Sequence, residues 1–145
     1  MPIPKPYKGQ VIRYSYLWNG EHRLGHEDGR KDRPCAVILA VESADEETYV
    51  TVAPITRTPP NNPDRAVELP GQPKQRLGLD HEQSWVIVDE ANYFEWPGPD
   101  IRPIPGSNPP RYEYGPLPPG LYKKIVSKMK LMAQLLKLKK VRRTH

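Results

Sequence analysis

Several features that are common in other protein classes are missing from this chain. It has a single cysteine, Cys35, among 145 residues, which excludes an internal disulfide. Its longest apolar run is residues 35–41, whereas a membrane-spanning helix needs about 20 residues. The amino terminus also lacks the continuous apolar stretch of a secretory signal peptide. These absences predict a cytoplasmic protein without a membrane segment, and a buried thiol at Cys35.

Proline and glycine are abundant instead. The 19 prolines and 10 glycines together make up a fifth of the chain. Because proline interrupts helix interiors and central strands, this content argues against a helical bundle or a doubly wound parallel sheet. Hydrophobic residues make up 37% of the chain, which is enough for one modest core. The composition therefore predicts a small β-rich domain with long loops.

Positive charge is concentrated at the carboxyl end. Residues 117–145 hold nine lysines and arginines and no acidic residue. The first 116 residues hold 13 basic and 17 acidic residues, a net charge of −4. The total of +5 therefore belongs to the tail and does not indicate a uniformly basic surface for nucleic acid.

Alternating and continuous apolar patterns predict five or six short strands. The second is apolar on both faces, as a doubly buried central strand is. In the third, Pro54 indicates that pairing ends or bulges there. The predicted strands cover residues 9–18, 34–42, 48–55, 65–69 and 84–90, with a further short one at 100–104.

The last segment has a helical pattern. From Leu121 onward it contains neither proline nor glycine, and its apolar residues recur at helical spacing. They form one stripe: Leu121, Ile125, Met129, Met132, Leu135 and Leu136. Because Lys139 interrupts this stripe, we expect a basic amphipathic helix at 121–141 that frays beyond about residue 138.

The predicted fold class is mainly β, a small barrel with a carboxyl-terminal α-helix. Strand patterns alone do not distinguish an SH3-like barrel from an OB-like one. The predicted organisation is a single domain over 1–145. It comprises a barrel with long proline-rich loops at 9–105, a proline-rich linker at 106–120 and the helix at 121–141.

Four segments, in order, resemble the MazF/PemK family of toxin endoribonucleases. They are Gly9-Gln-Val-Ile, the loop ending in Arg33-Pro34 before an apolar strand, Val52-Ala-Pro-Ile-Thr56, and Gly78-Leu79 with Ser84-Trp-Val-Ile-Val-Asp-Glu90. The resemblance covers residues 9–90 and implies an SH3-like barrel that forms a two-fold dimer. It also implies the toxin of a type II toxin–antitoxin system.

That toxin would cleave single-stranded RNA without a metal or other cofactor, leaving a 2′,3′-cyclic phosphate and a 5′-hydroxyl. The implied partners are single-stranded RNA, a second copy of the chain and an acidic antitoxin. DNA would be reached only through the antitoxin, and no membrane is involved.

The implied reaction assigns roles to particular residues. Attack by a ribose 2′-hydroxyl needs a base, positive charge at the phosphorane and a proton for the leaving oxygen. Arg33 would stabilise the charge with its planar donors, and Thr56 would hydrogen-bond a phosphate oxygen. The base would be Asp28, which lies five residues before the arginine, or Glu27, which better matches the family's glycine-x-acid pattern. Further RNA contacts are expected from Arg30, Lys31, Arg57, Arg142 and Arg143.

Each assignment has a structural alternative. Arg33 could be a solvated arginine paired with Asp28 or Asp32. Thr56 could simply begin a turn at the end of a strand.

The histidines and tryptophans also favour structural roles. His22 and His26 could share a zinc ion only on a helix, and the surrounding glycines argue against one, so no metal site is expected. Trp85 and Trp96 fit core or dimer packing better than base stacking.

A second hypothesis is a non-catalytic barrel of the same ancestry. It would inhibit a protein target, as the CcdB-like gyrase poisons of related fold do, or act as an RNA-binding adaptor. Its motivation is the acidic body, the extended proline-rich segment 97–119, and Asn92, where relatives often carry a basic residue. The two hypotheses differ in whether Arg33 and Thr56 share an open groove or the proline-rich segment fills it.

Overall fold

The structure, a computed structural model, describes residues 3–19, 32–79 and 83–143. Within these ranges the chain forms eight strands, two α-helices and one 3₁₀-helix. The strands are β1 (Gln10–Ser15), β2 (Asp32–Glu42), β3 (Thr48–Thr56), β4 (Ala66–Glu68), β5 (Trp85–Ile87), β6 (Glu90–Glu95), β7 (Glu113–Pro116) and β8 (Lys139–Arg142). The helices are α1 (Gly71–Leu77), α2 (Pro119–Gln134) and the 3₁₀-helix Pro63–Arg65.

The strands join into one sheet with a branch at β3. The main order is β4-β5-β3-β2-β1-β7. β3 pairs with β6 over Tyr49–Val52 and with β5 at Ile55 and Thr56. β6 in turn pairs with β8, in the only parallel ladder among the described strands. The mainly β fold with a helix near the carboxyl end confirms the predicted fold class.

Two apolar clusters lie on opposite faces of the central strands, because successive side chains of a strand point in opposite directions. One cluster includes Val11, Ala36 and Ala53, and the other includes Ile12, Cys35 and Val52. α2 covers the first cluster through three buried residues of its predicted stripe, Ile125, Met129 and Met132. The prediction that this helix packs on the barrel is therefore confirmed.

β2 is buried over only half of its length, so the prediction of a doubly buried strand is wrong beyond Ile38. Leu39 and Val41 are 40% and 57% exposed. The register of β2 on β3 shifts between Val37 and Leu39. The carbonyl oxygen of Ile38, the last buried residue of the strand, accepts a hydrogen bond from the hydroxyl of Tyr122 on α2.

On one edge of β3, the neighbouring strand changes from β6 to β5 at Pro54. The pairing of β3 with β2 continues through Cys35 opposite Pro54. On the other side, pairing with β6 stops at Val52 and pairing with β5 begins at Ile55. Because proline has no N–H, it fits this gap in the ladder. The predicted interruption is thus confirmed on one edge of the strand only.

The proline-rich regions hold more regular structure than their composition indicates. α1 lies in a segment expected to be irregular, and β7 lies in the predicted linker at 106–120. The predicted strand at 100–104 is absent, and Ile101 makes only an isolated bridge to Tyr14. The predicted strand at 84–90 ends at Ile87, and β6, which was not predicted, begins at Glu90.

The end of the chain corrects the prediction of a frayed basic tail. α2 ends at Gln134 rather than near 138–141, and Leu136 adopts a left-handed φ of 58°. The chain then enters β8, with Val141 buried against the barrel. Leu135 and Leu136, predicted to be in the buried stripe, are exposed because the helix ends before them. No helix in the described ranges is long and apolar enough to span a membrane.

Candidate active site

The register of two strands brings Arg33 and Thr56 to the same end of the sheet. β2 and β3 are antiparallel, with Cys35 opposite Pro54. Continuing this register by two residues places Arg33 opposite Thr56. Both residues line one open cleft of about 1030 Å³.

The cleft is rich in positive charge. Among the described residues that line it are three arginines, Arg13, Arg33 and Arg57, and one acidic residue, Asp32. The Asp32 carboxylate lies 3.8 Å from Nε of Arg102, which is outside the lining. Such a cleft attracts anions, because the low-dielectric walls focus the field of the guanidinium groups.

Stacking holds the Arg33 side chain. Its guanidinium carbon lies 4.9 Å from the ring centre of Trp18, a cation–π contact. Nε of Arg33 is buried and has no hydrogen-bond partner among the described residues. Since Asp32 is paired with Arg102, the surface ion pair considered for Arg33 is not formed with Asp32. The planar guanidinium is therefore oriented by an aromatic ring within the cleft.

Thr56 combines a structural contact with a position in the cleft. It is 8% exposed, and its Oγ1 accepts the N–H of Thr58 at 3.1 Å. This contact is the strand-end turn that the sequence predicts. The hydroxyl hydrogen is not used in the turn and can be donated to a bound anion.

The predicted RNA contacts fall in different places. Arg57 is exposed and lines the cleft. Arg142 is exposed on β8, 6.0 Å from the ring centre of Tyr93 and outside the cleft lining. Arg143 is buried and forms an ion pair with Asp100 at 3.2 Å. The assignment of Arg143 as an RNA contact is therefore wrong, because its guanidinium is inside the protein.

Several predicted residues lie outside the described ranges. They are the two candidate bases Glu27 and Asp28, the candidate RNA contacts Arg30 and Lys31, and the histidines His22 and His26. Within those ranges, no group of three metal-ligating side chains could hold a metal ion.

The prediction for Cys35 is confirmed, since it is a fully buried free thiol whose pKa burial raises. Trp96 packs against the second apolar cluster. It donates its indole N–H to the carbonyl oxygen of Pro4 at 3.1 Å, which confirms core packing.

The sequence analysis missed three cleft residues, Arg13, Trp18 and Tyr114. Arg13 on β1 lines the cleft and donates from Nη1 to the hydroxyl of Tyr114 at 3.1 Å. Trp18 supplies the ring under Arg33. The only sequence signal for Arg13 was its position as the one cation within the alternating first strand. Tyr114 had none, since it lies among prolines.

The proline-rich segment leaves the cleft open. Of residues 97–119, only Tyr114 belongs to the cleft lining. This observation favours a ligand-binding groove over a filled one. The fold and the cleft thus define a small β-barrel protein with an arginine-lined cleft at one end of its central strands.

The family model for the PemK-like, MazF-like toxin of type II toxin–antitoxin systems matches residues 15–94. This match spans more than half of the chain, so the protein belongs to that family and its barrel is of the MazF/PemK type. Membership makes it a type II toxin and implies an antitoxin partner. A comparison with curated proteins gives no match. The matched range includes Trp18, Arg33 and Thr56 and ends before α2 and β8.

Proposed function

We propose that this toxin is an endoribonuclease that cleaves single-stranded RNA without a metal ion. The observation that carries the proposal is the stacked guanidinium of Arg33 in the same open cleft as Thr56. The supporting argument is chemical, because a fixed guanidinium supplies the positive charge that phosphoryl transfer requires.

The proposed reaction is an internal displacement at phosphorus. A ribose 2′-oxygen attacks the adjacent phosphorus, and the bond from phosphorus to the 5′-oxygen breaks. The products are a 2′,3′-cyclic phosphate and a 5′-hydroxyl, so one proton leaves the 2′-hydroxyl and one reaches the 5′-oxygen. Arg33 stabilises the charge on the phosphorane oxygens, and Thr56 donates its hydroxyl hydrogen to one of them. Glu27 or Asp28 would take the 2′-hydroxyl proton.

The neighbouring cations would hold the rest of the strand. Arg13 is tethered by Tyr114 and Arg57 is exposed at the rim, so both can contact flanking phosphates. The RNA would lie across a two-fold dimer, between the loop before Asp32 and the loop after Thr56. An acidic antitoxin would neutralise the toxin, and the activity would operate in the cytoplasm.

The test compares purified wild type with Arg33→Ala on a mixed-sequence RNA, with chelator present and product ends mapped. Wild type should leave cyclic phosphate ends. Arg33→Ala should cleave about 100- to 1,000-fold more slowly, as expected for loss of a preorganised charge donor. The matched control is Arg111→Ala, an exposed arginine outside the cleft lining, which should cleave at the wild-type rate.

Two outcomes would contradict the proposal. Equal cleavage by wild type and Arg33→Ala would remove Arg33 from the reaction. Absence of cleavage by either protein across a broad set of sequences would favour the binding-only barrel.

A further inference from the structure

We infer that the carboxyl-terminal strand sets the position of the Arg33 guanidinium, with Asn92 and Arg143 as positioning residues. The inference rests on the proposed role of Arg33 and extends it to a part of the chain outside the cleft lining. It is carried by a continuous series of contacts from β8 to Trp18.

The first contact in the series joins Asn92 to the backbone of Leu17. The Asn92 side chain is fully buried and bonds both backbone groups of that residue. Its Oδ1 accepts the Leu17 N–H at 2.8 Å, and its Nδ2 donates to the Leu17 carbonyl at 2.7 Å. Leu17 immediately precedes Trp18, the residue that stacks on Arg33. One amide therefore fixes the backbone that carries the indole.

The second contact is the hold of Arg143 on that amide. Nη1 of Arg143 donates to Oδ1 of Asn92 at 3.4 Å and to the carbonyl oxygen of Ser15. Nη2 is paired with the Asp100 carboxylate at 3.2 Å, and the two side chains are only 1% and 5% exposed. The guanidinium thus connects the β6 amide to the end of β1, on either side of the Leu17 backbone.

The third contact in the series is the pairing of β8 with β6, which places Arg143 beside Asn92. Val141 lies opposite Asn92 in the parallel ladder, and the Arg143 N–H donates to the carbonyl oxygen of Tyr93 at 2.9 Å. These backbone bonds place the guanidinium only while β8 is docked. The contacts that support the backbone before Trp18 are therefore all formed only when the carboxyl-terminal strand is in place.

The consequence for the site is geometric. Loss of Arg143 leaves Asn92 and Ser15 without one of their donors, and the segment Leu17–Trp18 loses part of its support. A catalytic group displaced by about 1 Å can lose about 100-fold in rate. Because Arg143 is buried outside the cleft, the loss should fall on kcat, with KM changed less than about twofold.

The experiment compares Arg143→Ala with Lys140→Ala. Both remove one positive charge from the same end of the chain, but Lys140 of β8 is exposed and outside the cleft lining, whereas Arg143, the residue after β8, is buried. Arg143→Ala should lower kcat by at least about tenfold, and Lys140→Ala should leave kcat unchanged. Equal effects of the two changes would mean that the tail acts by charge alone and would overturn the inference.

A second readout follows Trp18 without reference to activity. The chain has three tryptophans, so 5-fluorotryptophan labelling gives three ¹⁹F resonances, and Trp18→Phe identifies the one from residue 18. That resonance should shift or broaden in Arg143→Ala and in Asn92→Ala but not in Lys140→Ala. An unmoved Trp18 resonance in folded Arg143→Ala would overturn the inference, as would a moved resonance with unchanged kcat.

The experiment also covers two cases, an unfolded Arg143→Ala variant and a wild type without RNA cleavage. Arg143→Ala leaves the buried Asp100 carboxylate without this partner, which can unfold the protein. The paired variant Arg143→Met with Asp100→Asn removes both charges and should show the same Trp18 and kcat changes. If wild type does not cleave RNA, the proposed function fails, whereas the Trp18 resonance still decides whether Arg143 positions the ring.

Discussion

Glu90 is a half-buried carboxylate beside the segment that carries Trp18. Its Oε1 accepts hydrogen bonds from the Asn19 N–H and from the Tyr16 hydroxyl, each at 3.0 Å. Burial raises the pKa of Glu90, and these two hydrogen bonds oppose the rise only in part. The residue thus stabilises local geometry while its charge is unfavourable in the folded protein.

The raised pKa predicts the direction in which Glu90→Gln changes the stability of the fold. The folded state binds the proton more tightly than the unfolded state, so the ionised carboxylate destabilises the fold at neutral pH. This penalty disappears as the pH falls through the raised pKa. Glutamine keeps the accepting oxygen without the charge. The variant should therefore be at least as stable as wild type near pH 7, with a difference that vanishes near pH 4.

Urea unfolding across that pH range measures the effect. Glu42→Gln is the control, since Glu42 is exposed at the end of β2, and its stability should follow the wild-type curve. A Glu90→Gln difference that stays constant with pH would show that desolvation of the charge is not the cause.

Among the elements, α2 has the simplest relation to its sequence. Its apolar residues at helical spacing are the ones that pack, and its lysines at 123, 124 and 130 stay exposed. The helix begins at Pro119, where a proline is tolerated because the first N–H groups of a helix have no partner within the helix. Burial of one stripe, rather than helix propensity, holds the element in place.

Removing one side chain from that stripe should destabilise the whole barrel. Ile125 is fully buried in the cluster that α2 covers, so Ile125→Ala should cost about 2–5 kcal/mol in free energy of unfolding. Lys124→Ala, one residue away on the exposed side, should change it by less than about 0.5 kcal/mol. Denaturant titration of both variants checks this, and similar values for the two would mean that α2 does not contribute to the core.

For the whole molecule, the distribution of charge matters more than its total. The first 116 residues are net acidic, yet three arginines meet in the cleft of that acidic body. The lysines of α2 lie on a different surface and none lines the cleft. Net charge therefore does not locate the site, whereas the local cluster of guanidinium groups does.

This distribution predicts how RNA binding responds to salt. Each phosphate contact to a single strand contributes a slope of about −0.7 to log K against log salt concentration. A non-cleavable 2′-O-methyl RNA bound by Arg13, Arg33 and Arg57 should therefore give a slope of about −2. Arg13→Ala should reduce its magnitude by about 0.7.

Fluorescence anisotropy at several salt concentrations measures that slope. The control is Lys123→Ala on α2, which should leave the slope unchanged. A reduced slope in the lysine variant with none in Arg13→Ala would place the RNA on the helix rather than in the cleft.

The parts of the fold that could be predicted are those set by local pattern. Val86 and Val88 are buried on one side of their segment while Trp85 and Ile87 are half-buried on the other, because strand side chains alternate. Of the missed elements, α1, β6 and β7 lie where proline or charge masks the pattern, and β8 lies at the end of the segment predicted to be helical. In β7 the sequence Glu-Tyr-Gly-Pro carries no strand signal, and pairing with β1 at the sheet edge creates the strand.

The candidate site was predictable in part through the family resemblance, which linked Arg33 with Thr56. The structure supplies the physical reason, since antiparallel pairing of β2 with β3 brings the two residues to the same end of the sheet. Arg13 and Trp18 could not be assigned, since their roles depend on contacts with Tyr114 and Arg33 that bridge long stretches of sequence. Arg143 was assigned to the surface because it lies past the apolar stripe of the predicted helix, but the structure buries it.

The sequence alone determined the mainly β class, the buried thiol of Cys35 and the apolar stripe of α2, because each follows from composition or from the pattern along a single element. The family resemblance, rather than spacing, linked Arg33 with Thr56. Only the tertiary structure decided that Leu39 and Val41 are exposed, that the tail adds a strand and that Arg143 is buried. The reason is physical: whether a residue is buried depends on what covers it, and the covering elements come from distant parts of the chain.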